Sequence, residues 1–219
     1  MDSDFLLYLP ILVIILFVIL RYYLDNKRIK DIARYCEKHD LKFVEKMESF
    51  HKVCSESFDI VNRNDFQSFS NLICGEQDGI KFSIFDFAHK NIFTERYYKT
   101  NTICILSKPR FKFPKFYIRS EYLSDKINNK FGTQDIDFDE DESFSNLFLL
   151  QGKNEKNIKE FFSPAIRKAF IKFHSYNYEF ETSKNHFMIY TEGELSIEDI
   201  IKFLNNSIHL FNSIINPEK

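Results

Sequence analysis

The chain has 219 residues, among them 26 Phe, 11 Tyr and no Trp, with only 5 Gly and 5 Pro. This composition predicts a core built from large aromatic rings. The formal net charge of −2 excludes a global positive field that would attract nucleic acid, so a polyanionic partner would need a local basic patch. We therefore expect no nucleic-acid partner.

The N-terminal segment is an apolar run from Phe5 to Leu20 that contains no charged residue and is followed directly by Arg21. A hydrocarbon core about 30 Å thick needs roughly 20 helical residues, and the run reaches this length once residues 22–24 are included. The Arg21 side chain is long enough to extend to the lipid headgroups. Residues 1–24 are therefore predicted to form a transmembrane anchor that contacts the lipid bilayer.

The flanks of this run favour a retained anchor over a cleaved secretory signal. A signal peptide begins with basic residues and ends at small ones, whereas Asp2 and Asp4 precede this run and bulky Tyr22 and Tyr23 follow it. The nearby cations all come after the run: Arg21, Lys27, Arg28, Lys30 and Arg34. This asymmetry predicts a single-pass protein with a cytoplasmic C-terminal part, although long domains can translocate regardless of charge.

The segment after the anchor, residues 25–40, keeps helical spacing through Ile29, Ile32 and Cys36. It is predicted to be a juxtamembrane helix that forms one rod with the anchor and holds the following domain close to the membrane. The remaining chain, residues 41–219, is long enough for one domain with a real core.

The first part of this domain is rich in β-forming residues. The predicted strands are Phe66 to Cys74, Ile80 to Phe87 and Asn101 to Leu106, with a turn from Gly75 to Gly79. In the second strand Ile80, Phe82 and Ile84 alternate with Lys81 and Ser83, as expected when one face packs on a core. These runs predict an antiparallel meander.

Three helices and a hairpin are predicted in the second half. The helices are Ser120 to Gly132, about Asn154 to Phe173, and one that begins at Ser196, and the hairpin joins Tyr178–Thr182 to His186–Tyr190. Pro164 should kink the second helix or begin a new one. The predicted class is α+β, with a transmembrane helix followed by a cytoplasmic domain that has an antiparallel sheet and about three packed helices.

Five segments after the anchor carry a resemblance: Leu72–Gly75, Phe82–Phe87, Phe116–Glu121, Asp135–Phe138 and Phe144–Gly152. Together they resemble a family of uncharacterised bacterial proteins with a single N-terminal membrane span, and the resemblance covers most of the region after the anchor. It implies a membrane anchor and a bacterial source. No activity is assigned to that family, so the resemblance implies no catalytic residues.

The segment Lys108 to Arg119 interleaves cations with aromatic rings. In an extended chain Arg110 and Lys112 would share one face and the intervening rings the other. The predicted candidates for binding an anionic surface such as lipid headgroups are Arg110, Lys112, Lys115 and Arg119, each worth about 1 kcal/mol near a membrane. Stacking of single-stranded nucleic acid is a second alternative. The commoner use of such a pattern is an edge strand whose rings face the core while Pro and Lys block aggregation.

Two acidic features are candidates of another kind. The run Asp135, Asp137, Asp139, Glu140, Asp141 and Glu142 is superficially similar to a calcium loop. Glu140 stands where an EF-hand needs Gly, and Asn146 stands where it needs Glu, so a solvated loop is predicted instead. Asp86 lies between Phe85 and Phe87, surroundings that could bury a carboxylate for acid–base work. The expectation we favour is that its side chain faces solvent, opposite these rings, or accepts a bond from a backbone amide.

Enzyme motifs are not found in the sequence. It has no G-x-S-x-G elbow and no H-E-x-x-H pair, its glycines do not cluster as phosphate loops require, and its six histidines lack ligand spacing. The cysteines Cys36, Cys54, Cys74 and Cys104 are predicted to be reduced core residues. No catalytic, cofactor or metal residue is therefore predicted. The chain is interpreted as a membrane-tethered, non-enzymatic binding or accessory module with a protein or lipid partner, and the alternative is a membrane-associated enzyme of unrecognised type.

Overall fold

The computed structural model describes residues 3–50, 58–62, 67–90, 98–121 and 135–217. Its helices are α1 (Ser3–Lys38), α2 (Asp59–Asn62), α3 (Glu142–Leu147), α4 (Glu155–Phe161), α5 (Pro164–Phe173), followed by a 3₁₀ turn (His174–Tyr176), and α6 (Ile197–Ile215). Its strands are β1 (Lys42–Met47), β2 (Gln67–Gln77), β3 (Ile80–Lys90), β4 (Tyr98–Ser107), β5 (Tyr117–Ser120), β6 (Phe148–Gln151), β7 (Glu179–Ser183) and β8 (His186–Glu192).

The strands form one eight-stranded sheet in the order β1-β2-β3-β4-β8-β7-β5-β6, and every neighbouring pair is antiparallel. The predicted α+β class, the meander and the β7–β8 hairpin are confirmed. Strands β1, β5 and β6 were not predicted, because each is short and lacks a clear alternation of apolar and polar residues.

Both faces of the sheet are covered, because consecutive side chains of a strand point to opposite sides. Along β3, Phe82 and Ile84 belong to the larger core, which packs against the helices. Phe85 and Phe87 belong to a second core on the other face, together with Phe50 and residues of α2. The middle of β3 is thus buried on both sides, while the prediction of one buried face holds only for its start, where Lys81 is exposed.

Helix α1 is a single continuous helix, as the predicted rod requires. Its N-terminal part is long and apolar enough to cross a membrane, and the side chains of residues 8–24 described there lie exposed or only partly covered. Its C-terminal part is different, since Ile32 and Cys36 are fully buried in the larger core. The same helix therefore serves as the candidate membrane span and as a core element of the domain.

Helices α4, α5 and α6 begin where the sequence signals predict, whereas α3, at the end of the acidic run, was not predicted. Asn154 and Ser196 are N-caps whose side chains accept bonds from the amides of Asn157 and Asp199 at 3.1 and 3.2 Å. Pro164 begins a separate helix instead of kinking a longer one. Ser120 ends β5 and Glu121 is not helical, and residues 122–132 of the predicted helix lie outside the described residues.

Candidate functional site

The most distinctive polar site lies where α1 meets the sheet. Arg28 Nη1 donates to Asp86 Oδ2 at 2.7 Å and Nη2 donates to Oδ1 at 3.1 Å, so the pair is bidentate. Arg28 Nε donates to the Leu195 carbonyl at 2.6 Å. The two side chains are only 15% and 6% exposed. A guanidinium–carboxylate pair of this geometry is the strongest type of charged hydrogen bond, and it fixes α1 to β3 and to the turn before α6.

Further donors complete the environment of the Asp86 carboxylate. Asn71 Nδ2 donates to Oδ2 at 2.8 Å, and the Thr102 hydroxyl lies 3.3 Å from Oδ1. Asn71 has a φ of +55° at a bulge in β2, a left-handed conformation that Asn tolerates well. The Thr102 hydroxyl also donates to the Gly193 carbonyl at 2.9 Å. These bonds offset much of the cost of burying the charge.

The predicted placement of Asp86 in solvent is wrong. Its side chain does point away from Phe85 and Phe87, but that opposite face is covered by α1. One sequence signal for the pair was available, because Arg28 stands on the same helical stripe as Ile32 and Cys36, at intervals of four residues. A cation on a stripe of buried residues needs a buried anion.

A groove of about 870 Å³ runs beside this ion pair, between α1 and the turn that follows β8. Charges of both signs line it and pair with one another. Arg21 contacts Asp25 at 3.3 Å and Glu194 at 3.7 Å, and Lys99 contacts Glu192 at 3.4 Å. These pairs are largely exposed and contribute little stability individually. We call this region, with Arg28 and Asp86, the junction.

The rings of the basic aromatic segment face the core, as the structural alternative predicts. Phe113 and Phe116 are 6% and 2% exposed and pack against α4 and α6 rings. The segment is not an edge strand, however. Residues 111–116 are irregular, and β5 lies between β7 and β6. The rings are therefore held by packing and by main-chain bonds such as Phe113 N–H to Lys184 O at 2.6 Å.

The four candidate cations of this segment occupy different settings. Arg110 and Lys112 are exposed, and Arg110 lies in a turn with a φ of +70°. Lys115 pairs with Asp59 at 3.2 Å, and Arg119 Nη1 donates to the Ser120 carbonyl at 2.9 Å. The turn means that Arg110 and Lys112 are not aligned by an extended chain. Their role in binding an anionic surface stays a prediction.

The acidic run is partly structural. Asp141 is the N-cap of α3 and also accepts from Arg167 Nε at 2.7 Å, and the Arg167 side chain is buried. Burial alone would raise the pKa of Asp141, but hydrogen bonds from Arg167, Ser143 and the Phe144 amide hold it below its usual value. Within the part of the chain that the structure describes, no three His, Cys, Asp or Glu side chains form a group that could hold a metal ion.

Asp135 has the opposite electrostatic character. Burial raises its pKa to about 6, the nearby Asp137 charge adds to this effect, and the Leu150 amide, which donates to Oδ1 at 2.9 Å, opposes it. A half-buried carboxylate is harder to ionise than a solvated one. This is the main difference between Asp135 and Asp141 within one run.

A second buried polar cluster lies on the face that carries Phe85 and Phe87. The Tyr117 hydroxyl donates to Glu179 Oε2 at 2.5 Å, and burial raises the pKa of Tyr117 and of Tyr190. Buried Glu181 accepts from the amides of Asp59 and Ile60 at 2.8 and 3.2 Å. These bonds secure α2 to the sheet.

The described cysteines behave as core residues. Cys36, Cys74 and Cys104 are free thiols, and burial raises the pKa of Cys104 to about 12 despite a hydrogen bond with Ser207. A thiol with so high a pKa carries no thiolate at neutral pH and is a poor nucleophile. Cys54 lies outside the described residues.

No family model and no curated protein matches this chain. Its structure is similar to the crystal structure of the mycobacterial trehalose monomycolate transport factor A, TtfA, with a TM-score of 0.57 and 10% sequence identity. The match covers 87% of this chain and 93% of that one. At this identity the likeness shows a shared fold alone. The resemblance to a family of uncharacterised bacterial proteins stays a prediction.

Proposed function

We propose that this protein is a membrane-anchored, non-enzymatic accessory module whose domain is held at the cytoplasmic surface in a fixed orientation. The observation that carries the proposal is the bidentate Arg28–Asp86 pair on the same helix as the apolar run. A domain that only needed a tether would be joined to its anchor by a polar, flexible linker. Here the anchor continues as a helix into the core of the domain.

The distances support a close attachment. From Leu24, the predicted end of the span, to Arg28 the helix rises only about 6 Å. The junction would therefore lie in or just below the headgroup layer, which is about 5 to 7 Å thick on each side of the hydrocarbon core. Mixed charges such as those of the groove suit this polar layer.

Two observations support an accessory role over the enzyme alternative. The buried charged side chains Asp86, Arg167 and Glu181 are engaged in bonds that join elements of the fold. In addition, the structural neighbour is called a transport factor, which favours a helper role for this fold by analogy. A protein or lipid partner would then be recruited to the membrane surface.

Carbonate extraction of membranes that contain the full chain tests the proposed anchor. The wild-type chain should stay in the membrane pellet, and Ile14→Lys/Phe17→Lys should release it, because a lysine near the bilayer centre costs about 3 kcal/mol. Asn157→Lys/Asn205→Lys, which adds the same charge at exposed positions of the domain, should stay in the pellet. Release of the wild-type chain would overturn the proposal.

Protease treatment of sealed membrane vesicles of known orientation tests the cytoplasmic placement. The domain should be digested only when the cytoplasmic face is outside. Digestion only when the opposite face is outside would contradict the cytoplasmic placement but not the anchor.

A further inference from the structure

The end of the sheet opposite the junction gathers cations from three segments: 107–117, 151–154 and 183–186. Together these segments contain no Asp or Glu. Their cations are Lys108, Arg110, Lys112, Lys115, Lys153 and Lys184, and we call this set the distal basic surface. All except Lys108 are exposed, and Lys115 pairs with Asp59 at 3.2 Å.

The sheet brings these segments together although they are far apart in sequence. Phe113 N–H donates to the Lys184 carbonyl at 2.6 Å, and the Thr182 hydroxyl donates to the Pro114 carbonyl at 2.6 Å. Gly152 lies so close to the second half of the first segment that an added Cβ would be 2.7 Å from the Lys115 carbonyl. The cations therefore share one end of one rigid sheet.

This end points away from the junction. In the β4–β8 ladder Asn101 pairs with Glu192 near the junction and Ser107 pairs with His186 at the far end, which is about 20 Å of strand. Helix α1 runs in the same direction. Its Arg28 contacts Asp86 at the junction, and Leu41, which follows the C-terminal end of the helix, lies against Gly75 toward the far end of the sheet. The distal basic surface is therefore about 25 Å beyond the predicted span.

That distance argues against the anchoring membrane as the ligand. The Debye length is about 8 Å at physiological ionic strength, so 25 Å is about three Debye lengths and the surface potential of the bilayer is largely screened there. Headgroup attraction of about 1 kcal/mol per cation requires a position near the surface.

The rings of the segment argue against nucleic acid. Stacking on single-stranded bases needs exposed aromatic faces. Phe113 and Phe116 are buried and Phe111 is half-buried against the larger core. Only the charge of this segment is available to a partner.

The turn before these rings adds a second indication of use. Arg110 adopts a left-handed backbone conformation, which costs a residue with a side chain about 1 kcal/mol and suits Gly or Asn better. The chain places a long cation there, and the Phe111 amide to Lys108 carbonyl bond of 3.3 Å holds the turn. Strain of this kind is often retained at binding sites.

We propose that the distal basic surface binds an acidic segment of a partner protein and so presents that partner to the membrane-anchored module. This proposal rests on the proposed function, because only an anchored, oriented domain turns this end away from the bilayer. The chemistry required of the partner is a short stretch rich in Asp and Glu, recognised by charge and by Arg110 as a bidentate donor.

Binding of a fluorescein-labelled deca-glutamate peptide to the full chain in nanodiscs of zwitterionic lipid tests the proposal by fluorescence anisotropy. The wild-type chain should bind, and affinity should fall at least tenfold between 50 and 300 mM salt. Arg110→Glu/Lys112→Glu should weaken binding at least tenfold. The matched control Lys168→Glu/Lys172→Glu, with the same charge change at exposed positions of α5, should change it less than twofold.

Several results would overturn the proposal. The first is that the wild-type chain does not bind the peptide. The second is that the charge-reversal variant and its control lose peptide affinity equally. The third is that the chain binds vesicles with anionic lipid, or a deoxythymidine oligonucleotide, more tightly than it binds the peptide. If Arg110→Glu/Lys112→Glu fails to fold, Lys153→Glu/Lys184→Glu repeats the charge reversal at the same surface. The carbonate extraction is independent of these assays, so failure of the anchor and failure of this surface are distinguishable.

Discussion

The junction and the distal basic surface use charge in different ways. At the junction Arg28 pairs with Asp86 in the interior, and Arg21 contacts Asp25 and Glu194 at the surface. At the far end six cations share three segments without an acidic residue. Paired charges hold elements of one chain together, as Lys115 does with Asp59 at this end too, whereas a local surplus of positive charge attracts an acidic partner.

The largest expected effect is that of removing one member of the buried pair. Asp86→Ala leaves the Arg28 guanidinium buried without its anion and should lower the free energy of unfolding by about 3 to 5 kcal/mol. Arg28→Met/Asp86→Leu should lose much less, because neither charge then remains buried. Urea denaturation of the full chain in detergent measures both, and equal losses would mean that the pair is not what holds α1.

A smaller effect is expected for the amide that supports Asp86. Asn71→Ala removes the 2.8 Å bond to the carboxylate and places Ala at a φ of +55°. We expect a loss of about 2 kcal/mol in the free energy of unfolding. Asn71→Gly also removes the bond but suits the left-handed backbone conformation. The difference between the two variants therefore separates the loss of the hydrogen bond from the backbone strain. A loss below about 0.5 kcal/mol for Asn71→Ala would show that the Asp86 site does not depend on this bond.

Asp135 provides the contrast of a carboxylate whose pKa is raised by burial. Its pKa in the folded chain is about 6, above the unfolded value of about 3.9, so the folded state binds more protons and stability falls as pH rises from about 4 to about 6. Asp135→Asn should stabilise the chain at pH 7 by about 1 kcal/mol once solvent screening is included. Thermal denaturation at pH 4.5 and pH 7 measures this. An equal effect at both pH values would contradict the pKa argument.

The smallest expected effect on stability is at the distal end. Arg110→Asn places a residue that tolerates the left-handed region at a φ of +70° and should raise the free energy of unfolding by about 0.5 kcal/mol. It should also weaken binding of the deca-glutamate peptide, because one cation of the distal basic surface is lost. Lys112→Asn, at an exposed position of the same segment, should weaken peptide binding without raising the free energy of unfolding. A loss of stability in Arg110→Asn would show that the arginine serves the fold.

Local signals were enough for much of the fold. The apolar run, the caps at Asn154 and Ser196 and the proline at position 164 each act within one or two helical turns, so the sequence predicts the element directly. The short strands β5 and β6 were missed because their pairing, and not their own pattern, makes them strands.

The N-terminal apolar helix, the α+β class and the aromatic character of the core can be predicted without the structure, because they follow from composition and from periodicities of two and 3.6 residues. The tertiary structure is needed to bring Asp86 to Arg28, 58 positions away, and to join Phe113 to Lys184 at the end remote from the apolar run. Strand order and the path of α1 across the sheet set these positions. Neither is encoded in any short stretch of the chain, because each depends on contacts between residues that are distant in sequence.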